Sequence, residues 1–264
     1  STGHLAGELQ QLAGEVARRP ERAVLLGPCR VISQEFPTVR CRAVDVQLAP
    51  RGSWRREQLR GQLLREAVEE RDEAQAVVYR GHERLVEDFS AISLPAAGPS
   101  GGKLRAKGVY LITGGLGGIG LTLAKHLAEV HEAKLLLLSR RGLPERGEWD
   151  ALLEAGAAEA KVVSAIEAVR AMEEAGAEVE VAAADVCDPQ ALSLAIERAV
   201  ARFGRIDGAF HTAGVLDDGV IQLKEKESAA SVLAPKVRGT LTLDAALGEQ
   251  AADFLVLFSS VSSI

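Results

Sequence analysis

Sulfur and aromatic side chains are scarce in this chain of 264 residues, which holds 3 cysteines, one methionine and 4% Phe, Trp and Tyr together. Cys29, Cys41 and Cys187 are odd in number and none belongs to a CxxC pair. A disulfide framework and a thiolate metal site are therefore not expected, and reduced thiols in a cytoplasmic compartment are. Excess positive charge is also missing: the net charge is -6 and the pI near 5.5, which argues against a nucleic-acid role. No run approaches the ~20 apolar residues of a membrane span. The strongly apolar stretches, such as 134–138 and 253–258, are short and bounded by charge. No signal-peptide pattern opens the chain, and a start at Ser1 rather than Met reads as an internal piece of a longer polypeptide. What is present is an ordinary globular composition, 47% hydrophobic and 26% charged, sufficient for one or two cores.

A stretch rich in Pro, Gly and Ser, LPAAGPSGGK at 94–103, has no apolar period and favours turns. It divides the chain into residues 1–94, a linker at 95–107, and residues 108–264. In the first part, Ala23–Leu26 and Cys41–Val46 read as short buried strands. Arg55–Glu70 carries Leu59, Leu63, Leu64 and Val68 at helical spacing, and Ala76–Tyr79 with Arg84–Phe89 forms a hairpin around Gly81. Leu5–Ala17 is a further amphipathic segment, ended by Pro20.

The second part alternates. Strands are expected at Val109–Thr113, Lys134–Leu138, Glu178–Ala183, Gly208–His211 and Phe254–Ser259, with helices at Gly118–Glu129, Val162–Ala175, Pro189–Phe203 and Glu227–Ala246. Strands spaced by helices of this length imply an α/β class with a doubly wound parallel sheet, whose ligands bind at the carboxyl ends of the strands.

The most informative stretch is VYLITGGLGGIG at 109–120, a buried strand running into glycines and then a helix. Glycine lets a backbone approach a pyrophosphate whose charge meets the helix N-terminus. Gly115, Gly117 and Gly120 satisfy GxGxxG; Gly114, Gly118 and Gly120 satisfy TGxxxGxG, with Thr113, Leu116 and Ile119 completing the turn. A plain glycine turn without a ligand is the alternative.

The second strand then ends in Ser139, Arg140 and Arg141, where an NAD-specific site places an acid. A guanidinium here suits a 2′-phosphate and favours NADPH, unless the arginines are only solvated. Asp185 and Val186 after the third strand suit the adenine, or form an exposed strand end. His211, Ala213 and Gly214 in HTAG suit the nicotinamide-side ribose; alone, His211 reads more readily as a satisfied core histidine than as a base.

Taken in order, TGGLGGIG, LSRRG, ADVCD, HTAGVLDDG, APKVRGT and LFSSVSS closely resemble the catalytic half of polyketide synthase ketoreductases, members of the short-chain dehydrogenase superfamily. LLGPCRVISQEFPTVRCRAVDV and VVYRGHERLVEDF resemble the second half of the structural subdomain that precedes it, a truncated Rossmann unit without cofactor. The resemblance implies NADPH-dependent reduction of a β-ketoacyl chain, carried on the phosphopantetheine arm of an acyl carrier protein, within a megasynthase of neighbouring domains. It assigns Ser260 to hydrogen-bonding the ketone oxygen and Lys236 to assisting a tyrosine that donates the proton. Asp217 and Asp218, in LDD, match the loop of B-type ketoreductases that steers the pantetheine arm. The family's tyrosine is expected about a dozen residues beyond Ser260, past Ile264, and Tyr79 and Tyr110 lie in other elements. The parent protein is thus expected to be an enzyme and this piece alone inactive. A non-catalytic ketoreductase scaffold and a fatty acid synthase ketoreductase are the alternatives.

Overall fold

The computed structural model describes residues 20–69, 74–93, 102–156, 159–248, 250 and 252–260. The expected segment Leu5–Ala17 and most of the linker lie outside them. The chain divides into two units, one of Ser1–Leu94 with Gly219–Lys224 and Ser259–Ile264, the other of Pro95–Asp218 with Glu225–Phe258.

In the first unit a 3-10 turn, Pro20–Leu25, leads into α1 (Leu26–Glu35), followed by β1 (Ala43–Val46), α2 (Trp54–Val68), β2 (Ala76–Arg80) and β3 (Glu83–Val86). Strand β1 runs parallel to β2, and β2 turns back antiparallel into β3 through Gly81 at φ +63. The strand expected at Ala23–Leu26 is instead helical. Pro28 falls in the first turn of α1, where a missing N–H removes no helical bond, so the helix accommodates it.

Helix α2 also corrects its expected face. Leu59 is buried, but Leu64 and Val68 are exposed, and the inward positions continue as Gln62 and Glu66. Gln62 donates to Gly81 O at 2.9 Å. Glu66, its side chain 3% exposed, accepts from Arg84 Nε at 2.5 Å, Tyr79 Oη at 2.6 Å and Arg42 at 2.6 Å. The bond from Arg84, with those from Tyr79 and Arg42, outweighs burial and holds the Glu66 carboxyl down to about 2.

The second unit is a five-stranded parallel sheet in the order β6-β5-β4-β7-β8, with β4 (Val109–Thr113), β5 (Lys134–Ser139), β6 (Glu178–Ala183), β7 (Gly208–His211) and β8 (Phe254–Leu257). Between them run α3 (Gly118–His131), α4 (Trp149–Ala155), α5 (Ala160–Glu174), α6 (Pro189–Phe203), α7 (Lys226–Ala234) and α8 (Thr240–Gly248). Alternate strand residues build two cores, as the two-residue period of a strand requires. Tyr110, Ile112, Leu135, Leu137 and Val179 pack with α3 and α5; Val109, Leu111, Leu136, Leu138 and Ala209 pack with α6 and α8. Asp188 caps α6 by accepting from the N–H groups of Gln190 and Ala191 at 3.0 and 3.1 Å, with Pro189 in the first helical position.

At the amino ends of the strands, Asp207 accepts from Val109 N at 2.9 Å, Arg105 at 2.7 Å and Arg205 at 3.0 Å, while Arg205 also reaches Asp253 at 2.9 Å. This clasp ties β4, β7 and β8 at the edge remote from their carboxyl ends. Among the described residues no helix is long and apolar enough to cross a membrane.

Candidate functional site

The strand order reverses between β4 and β7, so the connections leaving them diverge and open a crevice at their carboxyl ends. Thr113 and His211, paired in register, form its floor. The glycine turn forms one lip. Gly114 adopts φ +67, and a Cβ there would lie 2.9 Å from Ala213 N and Cα, so the turn presses directly on the HTAG segment. Gly115 N donates to Leu138 O at 3.0 Å, tying the turn to the end of β5. A Cβ on Gly115 would collide with Ile112 O of β4 and with Leu137 of β5, and one on Gly120 with backbone of the turn itself, whereas a Cβ on Gly118 meets nothing within 4 Å. Gly118 opens α3, where unpaired N–H groups and the helix dipole favour an anion. Leu116 is half-buried against the core, and Ile119 is exposed.

Beyond β5, Ser139 Oγ accepts from Gly142 N at 3.0 Å, which shapes the bend on which Arg140 and Arg141 stand exposed. Neither arginine makes an ion pair among the described residues. Asp185 lies two residues past β6; one carboxylate oxygen accepts from Cys187 N at 2.8 Å, and Val186 beside it is buried. Val186 packs against the helix that follows β7, for a Cβ on Gly239 would come within 2.7 Å of its Cγ1.

That helix differs from expectation. The single helix read over Glu227–Ala246 is α7, a π-helical turn at Pro235–Gly239, then α8. Lys236 stands exposed on the turn. A buried chain of hydrogen bonds reaches it: His211 Nε2 lies 2.9 Å from Pro235 O and His211 Nδ1 lies 2.7 Å from Thr113 Oγ1. A carbonyl only accepts, so Nε2 carries the proton and Nδ1 accepts from the threonine. Burial pushes the His211 imidazole below its usual 6.5 despite the Pro235 contact, so it is neutral at pH 7. Its ring is thereby committed to holding the end of β4 and the turn before Lys236.

In the loop after HTAG, Asp217 accepts from Ser228 Oγ, and Leu216 and Asp218 are exposed. Phe258 N donates to His211 O at 3.1 Å, fixing the end of β8; Ser260 follows two residues later, exposed, in the segment grouped with the first unit. Of the two tyrosines, Tyr79 is bound to Glu66, and Tyr110, fully buried, accepts from Arg105 N at 2.6 Å. Sequence reasoning missed the π turn and the Thr113–His211–Pro235 chain; Pro235 within a helical pattern was the available signal for the former. Among the described residues no cluster of three or more potential metal ligands occurs.

A glycine turn from the first strand of a 3-2-1-4-5 parallel sheet, opening onto the switch point, defines a Rossmann unit of the short-chain dehydrogenase kind. The chain belongs to the KR domain family, whose model matches residues 108–264. Polyketide synthase PksM of Bacillus subtilis is 33% identical over 190 residues, 72% of this chain and 4% of that protein. The 6-methylsalicylic acid synthase of Aspergillus terreus is 38% identical over 161 residues, 61% of this chain and 9% of that one. Among solved structures, an A1-type ketoreductase superposes with TM-score 0.73 at 28% identity, covering 94% of this chain and 47% of that chain. The ketoreductase from the first module of phoslactomycin biosynthesis in Streptomyces gives 0.69 at 30%, covering 90% and 49%. The chain thus spans less than a tenth of these curated relatives and about half of these solved ketoreductases.

Proposed function

We propose that this chain supplies the cofactor-binding half of an NADPH-dependent ketoreductase, one that reduces a β-ketoacyl chain on an acyl carrier protein to the β-hydroxyacyl product. In this reading residues 1–94 belong to a structural subdomain without cofactor and residues 108–264 to the catalytic subdomain. The observation that carries it is the pairing of an open, anion-favouring turn at Gly118 with the exposed Arg140 and Arg141 beyond β5. Those features fit a dinucleotide bearing a 2′-phosphate: the turn takes the pyrophosphate, Arg140 and Ser139 the phosphate, Asp185 and Val186 the adenine, and the segment Ala213–Gly214 the nicotinamide ribose. The bound cofactor supplies hydride to the ketone carbon.

The chain's own groups then orient the ketone. Ser260 Oγ–H donates to the ketone oxygen, and the Lys236 ammonium favours charge developing on that side of the site. His211 is not the proton donor in this scheme, because both ring nitrogens are occupied and the imidazole is neutral. Both tyrosines are engaged elsewhere, so residues 1–264 alone are expected to bind NADPH without measurable reduction.

The loop Leu216–Asp218 would steer the pantetheine arm for a B-type outcome. Overall likeness to an A1-type enzyme does not weigh against this, since a shared fold at 28% identity does not fix the chemistry of a three-residue loop. The cofactor assignment is tested by titrating wild type and Arg140→Ala with NADPH and NADH. A selective loss of NADPH is expected, on the order of tenfold or more for a charge-assisted guanidinium–phosphate contact. Equal losses for both cofactors would refute it.

A further inference from the structure

Cys29 and Cys41 lie twelve residues apart in a chain with only one other cysteine, yet the fold of the first unit places them side by side. Cys29 sits in α1 and Cys41 two residues before β1. One side chain ties their backbones together: Ser33 Oγ donates to Cys29 O at 3.3 Å and accepts from Cys41 N at 3.1 Å. The two side chains neighbour each other closely enough to perturb one another, and both are only half-buried, within reach of a small reagent. Cys187 belongs to the other unit and shares none of these contacts.

We infer that Cys29 and Cys41 are a disulfide-forming pair, closed by exchange with a small disulfide of the glutathione class. The thiolate of one cysteine attacks a sulfur of glutathione disulfide, breaking its S–S bond and releasing one glutathione thiolate, which takes up a proton. The neighbouring cysteine, giving its proton to solvent, attacks the protein sulfur of the mixed disulfide and releases the second glutathione. Two cysteine thiols are oxidised to one disulfide and one glutathione disulfide is reduced to two thiols. Burial and the neighbouring Cys41 push the Cys29 thiol up, so little of it is thiolate at neutral pH and closure is slow unless the disulfide reagent is abundant.

Closure would fasten α1 to the entrance of β1. It would also stiffen the far end of α1, where the Glu35 carboxylate accepts from Ile221 N at 2.9 and 3.2 Å and so seats the segment Gly219–Lys224 within the same unit. The bridge restricts the unfolded chain, so the oxidised protein should melt higher.

The test oxidises the full chain with glutathione disulfide, alkylates remaining thiols and cleaves after glutamate, which separates the pair at Glu35. The expected result is a cross-linked pair of peptides from 22–35 and 36–57, two hydrogens lighter than their sum, with Cys187 alkylated. Cys29→Ser and Cys41→Ser should each trap glutathione on the surviving partner. The melting midpoint should rise several degrees on oxidation in wild type and Cys187→Ser and in neither of the other variants. Alkylation of both cysteines after oxidation, glutathione retained on both in wild type, a cross-link to Cys187, single variants without trapped glutathione, or a bridge that leaves the midpoint unchanged would each overturn the inference.

Discussion

Two glycines of one turn should respond oppositely to the same added methyl group. At Gly120 a Cβ would strike Gly114 O and lie 2.8 Å from Gly115 Cα. Both are backbone atoms, so no rotamer relieves the contact and the turn or α3 must move, a destabilisation of about 1–3 kcal/mol by overpacking. At Gly118 a Cβ meets nothing within 4 Å, and the residue begins a helix at ordinary φ. Alanine there should stabilise the protein by about 0.5–1 kcal/mol, chiefly by restricting the unfolded chain, and raise the midpoint by about 2–4 °C per kcal/mol for a domain this size. The space above Gly118 is the space assigned to the pyrophosphate, so Gly118→Ala should weaken NADPH by about tenfold, roughly 1.4 kcal/mol. Thermal unfolding and NADPH fluorescence titration on wild type and both variants separate these effects. Gly118→Ala should gain stability and lose affinity; Gly120→Ala should lose both. A Gly118→Ala protein that binds NADPH as tightly as wild type would show that the open space is not the phosphate site.

In an intact parent ketoreductase, Lys236→Ala and Ser260→Ala should each slow reduction of a diffusible β-ketothioester while leaving NADPH affinity nearly unchanged; wild-type turnover in both would show that neither residue acts on the ketone. His211→Ala leaves the buried Thr113 hydroxyl and the Pro235 carbonyl without their partner, and should cost about 1–3 kcal/mol of stability in chemical denaturation. The folded imidazole titrates below its usual 6.5, so it contributes stability that is present above that pH and is lost as pH falls towards its folded value; His211→Ala should remove this part of the acid sensitivity. Glu66, lowered from 4.5 to about 2, contributes about 3 kcal/mol that is present above pH 4.5 and is lost as pH falls through 2. Glu66→Gln should therefore lower stability at neutral pH by a similar amount and flatten the acid limb, as read by urea denaturation at several pH values.

Legibility in the sequence followed the range of the forces involved. Val109–Thr113, Glu178–Ala183, Pro189–Phe203 and Gly208–His211 were read with their observed bounds: the buried strands are apolar on both faces, the edge strand EVEVAA alternates, and Asp188-Pro189 marks a helix start locally. The helix Trp149–Ala155 was missed as loop, and Ala23–Leu26 was misread because four apolar residues suit either state. The inward face of α2 misled for a different reason: Gln62 and Glu66 look like surface residues until Gly81, Arg42, Tyr79 and Arg84 arrive from elsewhere in the chain. At the site, the glycine turn was legible because its chemistry is that of the backbone. The pairing of Thr113 with His211, 98 residues apart, was not, since only the sheet register brings them together.

The π turn at Pro235–Gly239 makes the helical region around it two rotors set out of step. An α-helix advances about 100° per residue, and a π turn accommodates one residue beyond the regular count. Leu243 and Leu247 of α8 are buried against the sheet, so the angular origin of the C-terminal rotor is set by the core. The N-terminal rotor, α7, is displaced from that origin by the extra residue, and Lys236 lies on the slip itself. The side of the helix that Lys236 presents is therefore set by residue count as much as by residue identity. A family of proteins that shortened or lengthened this turn by one position would redirect its lysine without changing a single side chain.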